Sequence, residues 1–146
     1  MSKKVIISAC LLGHTCRYDG KTKKTTEIVD AFKDYEIIPF CPEAPLFGTP
    51  RQRISVVEVN GENRIVTDET KEDVTNLLKD EIQSFIEQNK VAQKIILKSK
   101  SPSCGIKTTP ILDKNRKIIK YGNGIAGDMI IQNYKGIDIK DERSYL

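Results

Sequence analysis

Cys10, Cys16, Cys41 and Cys104 are the side chains of this 146-residue sequence best suited to metal binding or nucleophilic chemistry. They are separated by 5, 24 and 62 residues, whereas zinc ribbons and ferredoxins use close pairs such as C-x-x-C. The spacing alone is therefore weak evidence for metal binding. For any single cysteine, burial in the core is the competing interpretation. Thiolates that do bind a metal prefer zinc, copper(I) or iron–sulfur clusters.

Three of these cysteines follow predicted strands. Cys10 comes just after "KKVIIS" (3–8), Cys41 ends "EIIPFC" (36–41), and Cys104 lies a few residues beyond "KIILKS" (94–99). The carboxyl ends of the strands in an open α/β sheet share one edge, where ligands bind. We therefore expect the three thiols to converge, and three thiolates with a fourth position open suit a reactive centre better than a sealed structural one.

Other reactive side chains lie near the same predicted edge. Glu43 is held on a proline-braced turn two residues after Cys41, where it can act as a general acid or base, or be an ordinary surface glutamate. Ser101 and Ser103 flank Pro102 and can hydrogen-bond a ligand or their own turn.

A second arrangement of reactive groups is a nucleophilic Cys16 paired with His14. Residues this close in sequence rarely reach the geometry of a catalytic pair, so we favour the cysteines at the strand ends.

Helical and strand-like patterns alternate along the chain. Helices are predicted over 22–35, from Asp68 or Thr70 to about Asn89, and near 126–134, with strands also at 54–59, 63–67, 109–113 and 137–139. Asn60-Gly61 marks a hairpin. This order predicts a single domain over 1–146 of α/β class, with a mainly parallel open sheet, Rossmann-like or flavodoxin-like in three layers, and a β-hairpin insertion.

Missing motifs, short apolar runs and the distribution of charge exclude some classes of function and favour others. There is no G-x-x-x-x-G-K-[ST] loop and no G-x-G-x-x-G after a strand, which excludes the usual nucleotide-binding loops. We expect a soluble, cytoplasmic protein with no membrane partner, because the apolar runs are too short to span a bilayer and no leader pattern opens the sequence. Residues 94–120 hold eight Lys or Arg against one Asp, a face that can attract an anionic substrate or RNA, or simply be solvated.

Taken together, the motifs resemble a known family. "SACLLGHTCRYDG" (8–20), "CPE" (41–43), "GTPR" (48–51), "SKSPSCG" (99–105) and "GNGIAG" (122–127) resemble, in order and over nearly the whole chain, the thiouracil desulfidases. The resemblance implies a 4Fe-4S cluster held by Cys10, Cys41 and Cys104, with one iron open. It also implies that Glu43 is the acid/base residue and that Ser101 positions the substrate or relays protons. Cys16 lies outside the implied ligand set.

The implied reaction is a non-redox desulfuration of 2-thiouracil-like or 4-thiouracil-like bases, which replaces C=S by C=O and releases hydrosulfide. The open iron would bind the thiocarbonyl sulfur as a Lewis acid while water attacks the carbon. A free thiobase or thionucleoside is the expected substrate, and thiolated RNA is an alternative. A second possible function is a metal-binding or iron–sulfur protein that acts as a sensor or a store of metal or sulfur and catalyses no reaction. A purely RNA-binding protein is disfavoured, because aromatic residues form only 6% of the chain.

Overall fold

The structure, a computed structural model, describes residues 3–14, 17–20 and 23–146. Its strands are β1 Lys4–Ser8, β2 Glu36–Phe40, β3 Ile54–Val59, β4 Glu62–Thr67, β5 Lys94–Leu97, β6 Thr109–Leu112, β7 Ile118–Gly122 and β8 Asp138–Asp141. Its helices are α1 Thr26–Ala31, α2 Ala44–Phe47, α3 Thr75–Gln88 and α4 Ile125–Asn133, with 3-10 turns at Ala9–Leu12 and Glu142–Tyr145. Cys16, part of the proposed alternative pair, lies outside the described residues.

Two four-stranded sheets form the framework. The first has the order β2-β1-β5-β8 and every pairing in it is parallel. The second has the order β4-β3-β6-β7, with a parallel pair at its centre and antiparallel pairs on either side. The predicted α/β fold with a mainly parallel sheet is thus confirmed, and the hairpin belongs to the second, mixed sheet.

The hairpin follows its sequence signal closely. Val59 pairs with Glu62, and Asn60 and Gly61 between them both have positive φ angles, 53° and 81°. Asparagine and glycine tolerate this left-handed backbone better than other residues, which is why the dipeptide favours tight turns.

The central strands β1 and β5 are buried on both faces, as parallel strands covered on each side must be. Successive side chains point to opposite faces, so Ile6 and Ile95 enter one apolar cluster while Ile7 and Ile96 enter another. The first cluster also contains Ile82 of α3 and side chains of the second sheet. These strands form a rigid base whose carboxyl ends have fixed positions.

Helix α3 begins at Thr75, so the start predicted at Asp68 or Thr70 is wrong. Asp68 instead accepts a hydrogen bond from Ser55 Oγ at 2.7 Å, and Thr70 Oγ1 bonds Thr67 Oγ1 at 2.7 Å. The two cap-forming side chains are used to hold the turn after β4. Asp73 Oδ1 accepts from the Thr75 amide at 3.0 Å and assists the start of the helix.

Other boundaries also differ from the sequence analysis. Helix α1 ends at Ala31, short of the predicted Tyr35, although Ile28 and Phe32 are buried as its amphipathic pattern requires. Leu77 of α3 is 54% exposed, so this apolar side chain lies outside the core. Among residues 3–14, 17–20 and 23–146, none of the helices has the length and apolarity needed to cross a bilayer.

Candidate functional site

A cavity of about 420 Å³ opens at the carboxyl ends of β1, β2 and β5. Cys10, Cys41 and Cys104 all line it, and so do Glu43 and Ser101. The parallel topology brings these residues together from three distant parts of the sequence, since each follows a strand of the same sheet. By contrast, His14 is exposed and is not among the described residues that line the cavity.

Cys10 lies in the 3-10 turn that follows β1 directly. Its carbonyl oxygen accepts hydrogen bonds from the amides of Gly13 at 3.3 Å and Lys23 at 3.1 Å, so the turn is tied to the chain that leads into α1. Gly13 has a φ of 98°, a backbone conformation that a side chain would strain. The position of the first thiol is therefore set by backbone contacts.

Cys104 lies in a turn organised by Ser101. Ser101 Oγ accepts hydrogen bonds from the Cys104 amide at 3.0 Å and the Ser103 amide at 3.2 Å, and the Ser101 carbonyl accepts from the Gly105 amide at 3.0 Å. Thr109 Oγ1 also donates to that carbonyl at 2.7 Å. The turn role considered for Ser101 is therefore real. With two amides donating to its oxygen, the Ser101 hydroxyl is left to donate to Ser103 Oγ, 3.3 Å away.

The "GNGIAG" segment packs against the back of this turn. The Ala126 amide at the start of α4 donates to the Ser103 carbonyl at 2.7 Å, and the Gly124 amide donates to the Gly105 carbonyl at 2.8 Å. A Cβ atom on Gly124 would overlap the Ser103 carbonyl. Glycine is needed here because two backbones approach each other directly, which explains a motif far from the cysteines in sequence.

Glu43 is buried, so the surface-glutamate interpretation is wrong: the residue is only 8% exposed. Ser103 Oγ donates to Glu43 Oε2 at 2.7 Å, and Arg51 Nε lies 3.4 Å from Glu43 Oε1. Arg51 is itself held by the Gly48 carbonyl at 3.0 Å and Thr49 Oγ1 at 3.2 Å. The "GTPR" segment thus delivers a guanidinium group to one side of the carboxylate and Ser103 binds the other.

Burial dominates the electrostatics of the thiols. It raises the pKa of Cys10 to about 11, with Cys41 adding to the effect and the charges of Lys98 and Arg17 opposing it. Burial also raises the pKa of Cys104, as do Cys41, Glu43 and Cys10, against a smaller lowering by the Ser103 hydrogen bond. Together these thiols resist losing their protons unless a cationic group binds among them.

This donor set fits a cluster better than a single ion. In the described part of the chain, no three His, Cys, Asp or Glu side chains are close enough to hold one metal ion. The ligands of an iron–sulfur cluster bind different irons, so they are spaced around a larger object, and thiolates are its usual ligands. Three thiols around one cavity match that requirement, and binding would release their protons.

The cavity is electropositive. Its lining includes several cationic side chains, whereas Glu43 is the one carboxylate among the lining residues that the structure describes. The cations are Arg17, Lys23, Arg51, Arg53, Lys98 and Lys100. A concave site with this imbalance attracts anions and stabilises negative charge inside it.

Sequence reasoning did not identify three of the groups that build the site. Arg51 stands in the GTPR motif without a predicted role, Lys98 belongs to a basic stretch, and no sequence pattern singles out Glu142. Glu142 contacts Ser99 and Lys98 from 43 and 44 residues away. The only signal available was the position of Lys98 just beyond a buried strand, at the predicted ligand edge.

Comparisons with known proteins agree with this geometry. The model of the 2-thiouracil desulfurase family matches residues 5–142. The uncharacterized protein YbbK of Bacillus subtilis (strain 168) is 33% identical over 110 residues, which cover 69% of this chain and 72% of YbbK. A solved structure of the [4Fe-4S]-dependent thiouracil desulfidase TudS superposes with a TM-score of 0.71 at 29% identity, covering 98% of this chain and 93% of TudS.

Proposed function

Because the chain belongs to the 2-thiouracil desulfurase family, we propose that it removes sulfur from thiouracil-like bases by hydrolysis. One thiocarbonyl and one water give one carbonyl, one hydrosulfide and one proton, with no change of oxidation state. The observation that carries the proposal is the meeting of three thiols, Cys104 buried and Cys10 and Cys41 partly buried, with a buried, hydrogen-bonded carboxylate at one cavity.

In this proposal, Cys10, Cys41 and Cys104 hold a [4Fe-4S] cluster with one iron free of protein ligands. The cluster supplies, when bound, a soft Lewis acid suited to a thiocarbonyl sulfur. Support comes from the placement of the three thiols around one cavity and from the cluster dependence stated for TudS.

Glu43 is proposed as the base that takes a proton from the attacking water. Its two carboxylate oxygens are fixed by Ser103 and Arg51, so the group is oriented before the substrate arrives. The pair of contacts also leaves the carboxylate little freedom to turn away from the cavity.

Ser101 is proposed to orient the substrate and to connect it with Glu43. Its hydroxyl lies 3.3 Å from Ser103 Oγ, which in turn donates to Glu43 Oε2 at 2.7 Å. The three residues form a chain of hydrogen-bonding groups along one wall of the cavity, and such a chain can move a proton between the substrate and the carboxylate.

The size and charge of the cavity support a small substrate. The volume of about 420 Å³ must hold the cluster as well as the substrate, which favours a molecule as small as a free thiobase or thionucleoside. The cationic lining would stabilise the negative charge that develops as C=S is attacked. Thiolated RNA is the alternative substrate, which would need to present an unpaired base at the cavity mouth.

The test is anaerobic reconstitution with iron and sulfide, followed by incubation with 2-thiouracil, 4-thiouracil and a thiolated RNA. We expect a brown protein that releases sulfide from a free thiobase. Glu43→Gln should keep the cluster absorption and lose turnover, whereas Glu87→Gln, a matched change at an exposed position of α3, should keep both. A loaded protein that binds thiobases without turnover, and tolerates Glu43→Gln, would identify a binding or sensing protein instead.

A further inference from the structure

The end of β5 carries a partly buried ion pair that the proposed reaction does not use. Lys98 Nζ lies 3.1 Å from Glu142 Oε2, in the 3-10 turn after β8. The Ser99 amide donates to Glu142 Oε1 and the Ser99 hydroxyl to Oε2, both at 2.6 Å. Glu142 is only 8% exposed, so its carboxylate is fully engaged by its neighbours.

These contacts fix the ammonium group of Lys98 in direction as well as position. The Lys98 amide donates to Ser8 Oγ at 2.9 Å, and Nζ donates to the Ser99 carbonyl at 2.8 Å. An ammonium has three N–H donors, of which the Ser99 carbonyl and Glu142 take two. The third donates to Ser99 Oγ at 3.5 Å, a long and weak hydrogen bond that an anionic ligand can replace.

Of the two residues in the ion pair, the positively charged Lys98 is the one that lines the cavity. Lys98 lines the cavity with Cys10, whereas Glu142 is not among the lining residues in the described part of the chain. The charge of Lys98 lowers the pKa of Cys10, against the larger effects of burial and Cys41, so the ammonium acts on that side of the cavity. Glu142 therefore positions the Lys98 ammonium group without placing a carboxylate against a ligand in the cavity.

We propose that Lys98 is an anion-binding residue whose ammonium, positioned by Glu142 and Ser99 beside Cys10, binds the hydrosulfide that desulfuration releases. The inference rests on the proposed function for the identity of the anion. Lys98 forms no covalent bond in this role. Its fixed charge lowers the energy of the sulfur as it becomes anionic, and a water or new substrate then displaces the product.

The experiment compares Lys98→Met, Lys98→Arg and the control Lys120→Met in the reconstituted protein. Lys120 is an exposed lysine paired with Glu58 on the second sheet, so its replacement changes the total charge equally. Hydrosulfide binding is followed by the change in cluster absorption, and the midpoint potential of the cluster is measured separately. Neither readout requires turnover.

We expect Lys98→Met to weaken hydrosulfide binding about tenfold, because a hydrogen bond to a charged group is lost. Its midpoint potential should become more negative, because a nearby positive charge favours the reduced cluster. Lys98→Arg should restore both values toward wild type, and Lys120→Met should change neither. Urea unfolding of each apoprotein separates these effects from a loss of stability, and Lys98→Gln replaces Lys98→Met if that variant does not fold.

Unchanged hydrosulfide affinity and unchanged potential in Lys98→Met would overturn the inference, whatever the stability of the variant. The proposed function can fail separately: a wild-type protein that carries a cluster and binds hydrosulfide through Lys98, but releases no sulfide from thiobases, would overturn the function alone. A wild type that assembles no cluster would overturn both.

Discussion

The substitution Ser103→Ala tests whether the hydrogen bond from Ser103 orients the Glu43 carboxylate. The substitution removes the 2.7 Å hydrogen bond to Glu43 Oε2 and leaves the Ser103 backbone, with its contacts to Ser101 and α4, in place. A buried hydrogen bond to a charged group contributes about 1.5–3 kcal/mol, so the free energy of unfolding should fall by about that amount. Arg51, at 3.4 Å, is too distant to compensate fully.

Catalysis should be affected more than stability. A carboxylate held on one side only can turn away from the water, and a misplacement of about 1 Å can reduce the rate about 100-fold. The assay is sulfide release from a thiobase by the reconstituted variant, with kcat and KM measured separately. We expect kcat to fall about 100-fold. The cluster should still be bound, because Ser101 still holds the Cys104 amide, and only a small change in its absorption should follow from the loss of the 3.8 Å contact between Ser103 Oγ and Cys104 Sγ.

Ser84→Ala, at an exposed position of α3, is the control and should match wild type in both measurements. If Ser103→Ala retained wild-type kcat, Ser103 would not be needed to orient Glu43, and the proposed role of the hydrogen-bonded chain would be refuted.

Three further predictions follow from the same contacts. Gly124→Ala should lower the free energy of unfolding in urea by about 1–3 kcal/mol, because the added Cβ would overlap the Ser103 carbonyl. The variant should also bind less iron per chain, and normal iron loading would contradict the need for glycine at this position. Glu142→Gln should lower stability at pH 7, since burial alone would raise the pKa of Glu142 but its hydrogen bonds from Ser99, its backbone contact and the charge of Lys98 together lower it below the ordinary value. This advantage of the wild type is complete above the unfolded-state pKa and is lost as the pH falls through the folded-state value, so the two proteins should converge on acidification below about pH 4.5; a constant difference would contradict the charge-based explanation. Cys104→Ser should abolish stable cluster binding, measured by visible absorption, while the apoprotein unfolds in urea much like wild type. A fully loaded variant would remove Cys104 from the ligand set.

The sequence predicts the part of the site that follows from strand topology. Cys10 and Cys41 come directly after strands of one parallel sheet, and Cys104 follows the strand between β1 and β8, so their convergence needs only strand ends and a shared edge. The residues alone leave Glu43 as an acid/base group or a surface glutamate, and Ser101 as a ligand-binding or a turn residue. The resemblance selects the first of each pair, because no local pattern distinguishes a buried carboxylate on a turn from an exposed one.

The remaining features depend on contacts that no local pattern encodes. Arg51 and Glu142 reach the site from separate loops, and their partners are fixed only when the chain has folded. Strand β7 has no sequence signal that predicts it. Its apolar residues Ile118 and Ile119 are consecutive and both exposed, so the segment lacks the alternation of apolar and polar residues typical of a half-buried strand. Asp68 and Thr70 are good helix caps, but tertiary hydrogen bonds use them elsewhere.

The origin of the oxygen atom in the product tests the central claim most directly. Reconstituted protein is incubated with 2-thiouracil in water labelled with heavy oxygen, without added oxidant or reductant, and the products are analysed by mass spectrometry and sulfide determination. Hydrolysis at this cavity predicts uracil that carries one labelled oxygen and an equal amount of hydrosulfide. Unlabelled product, or a requirement for a reductant, would contradict it.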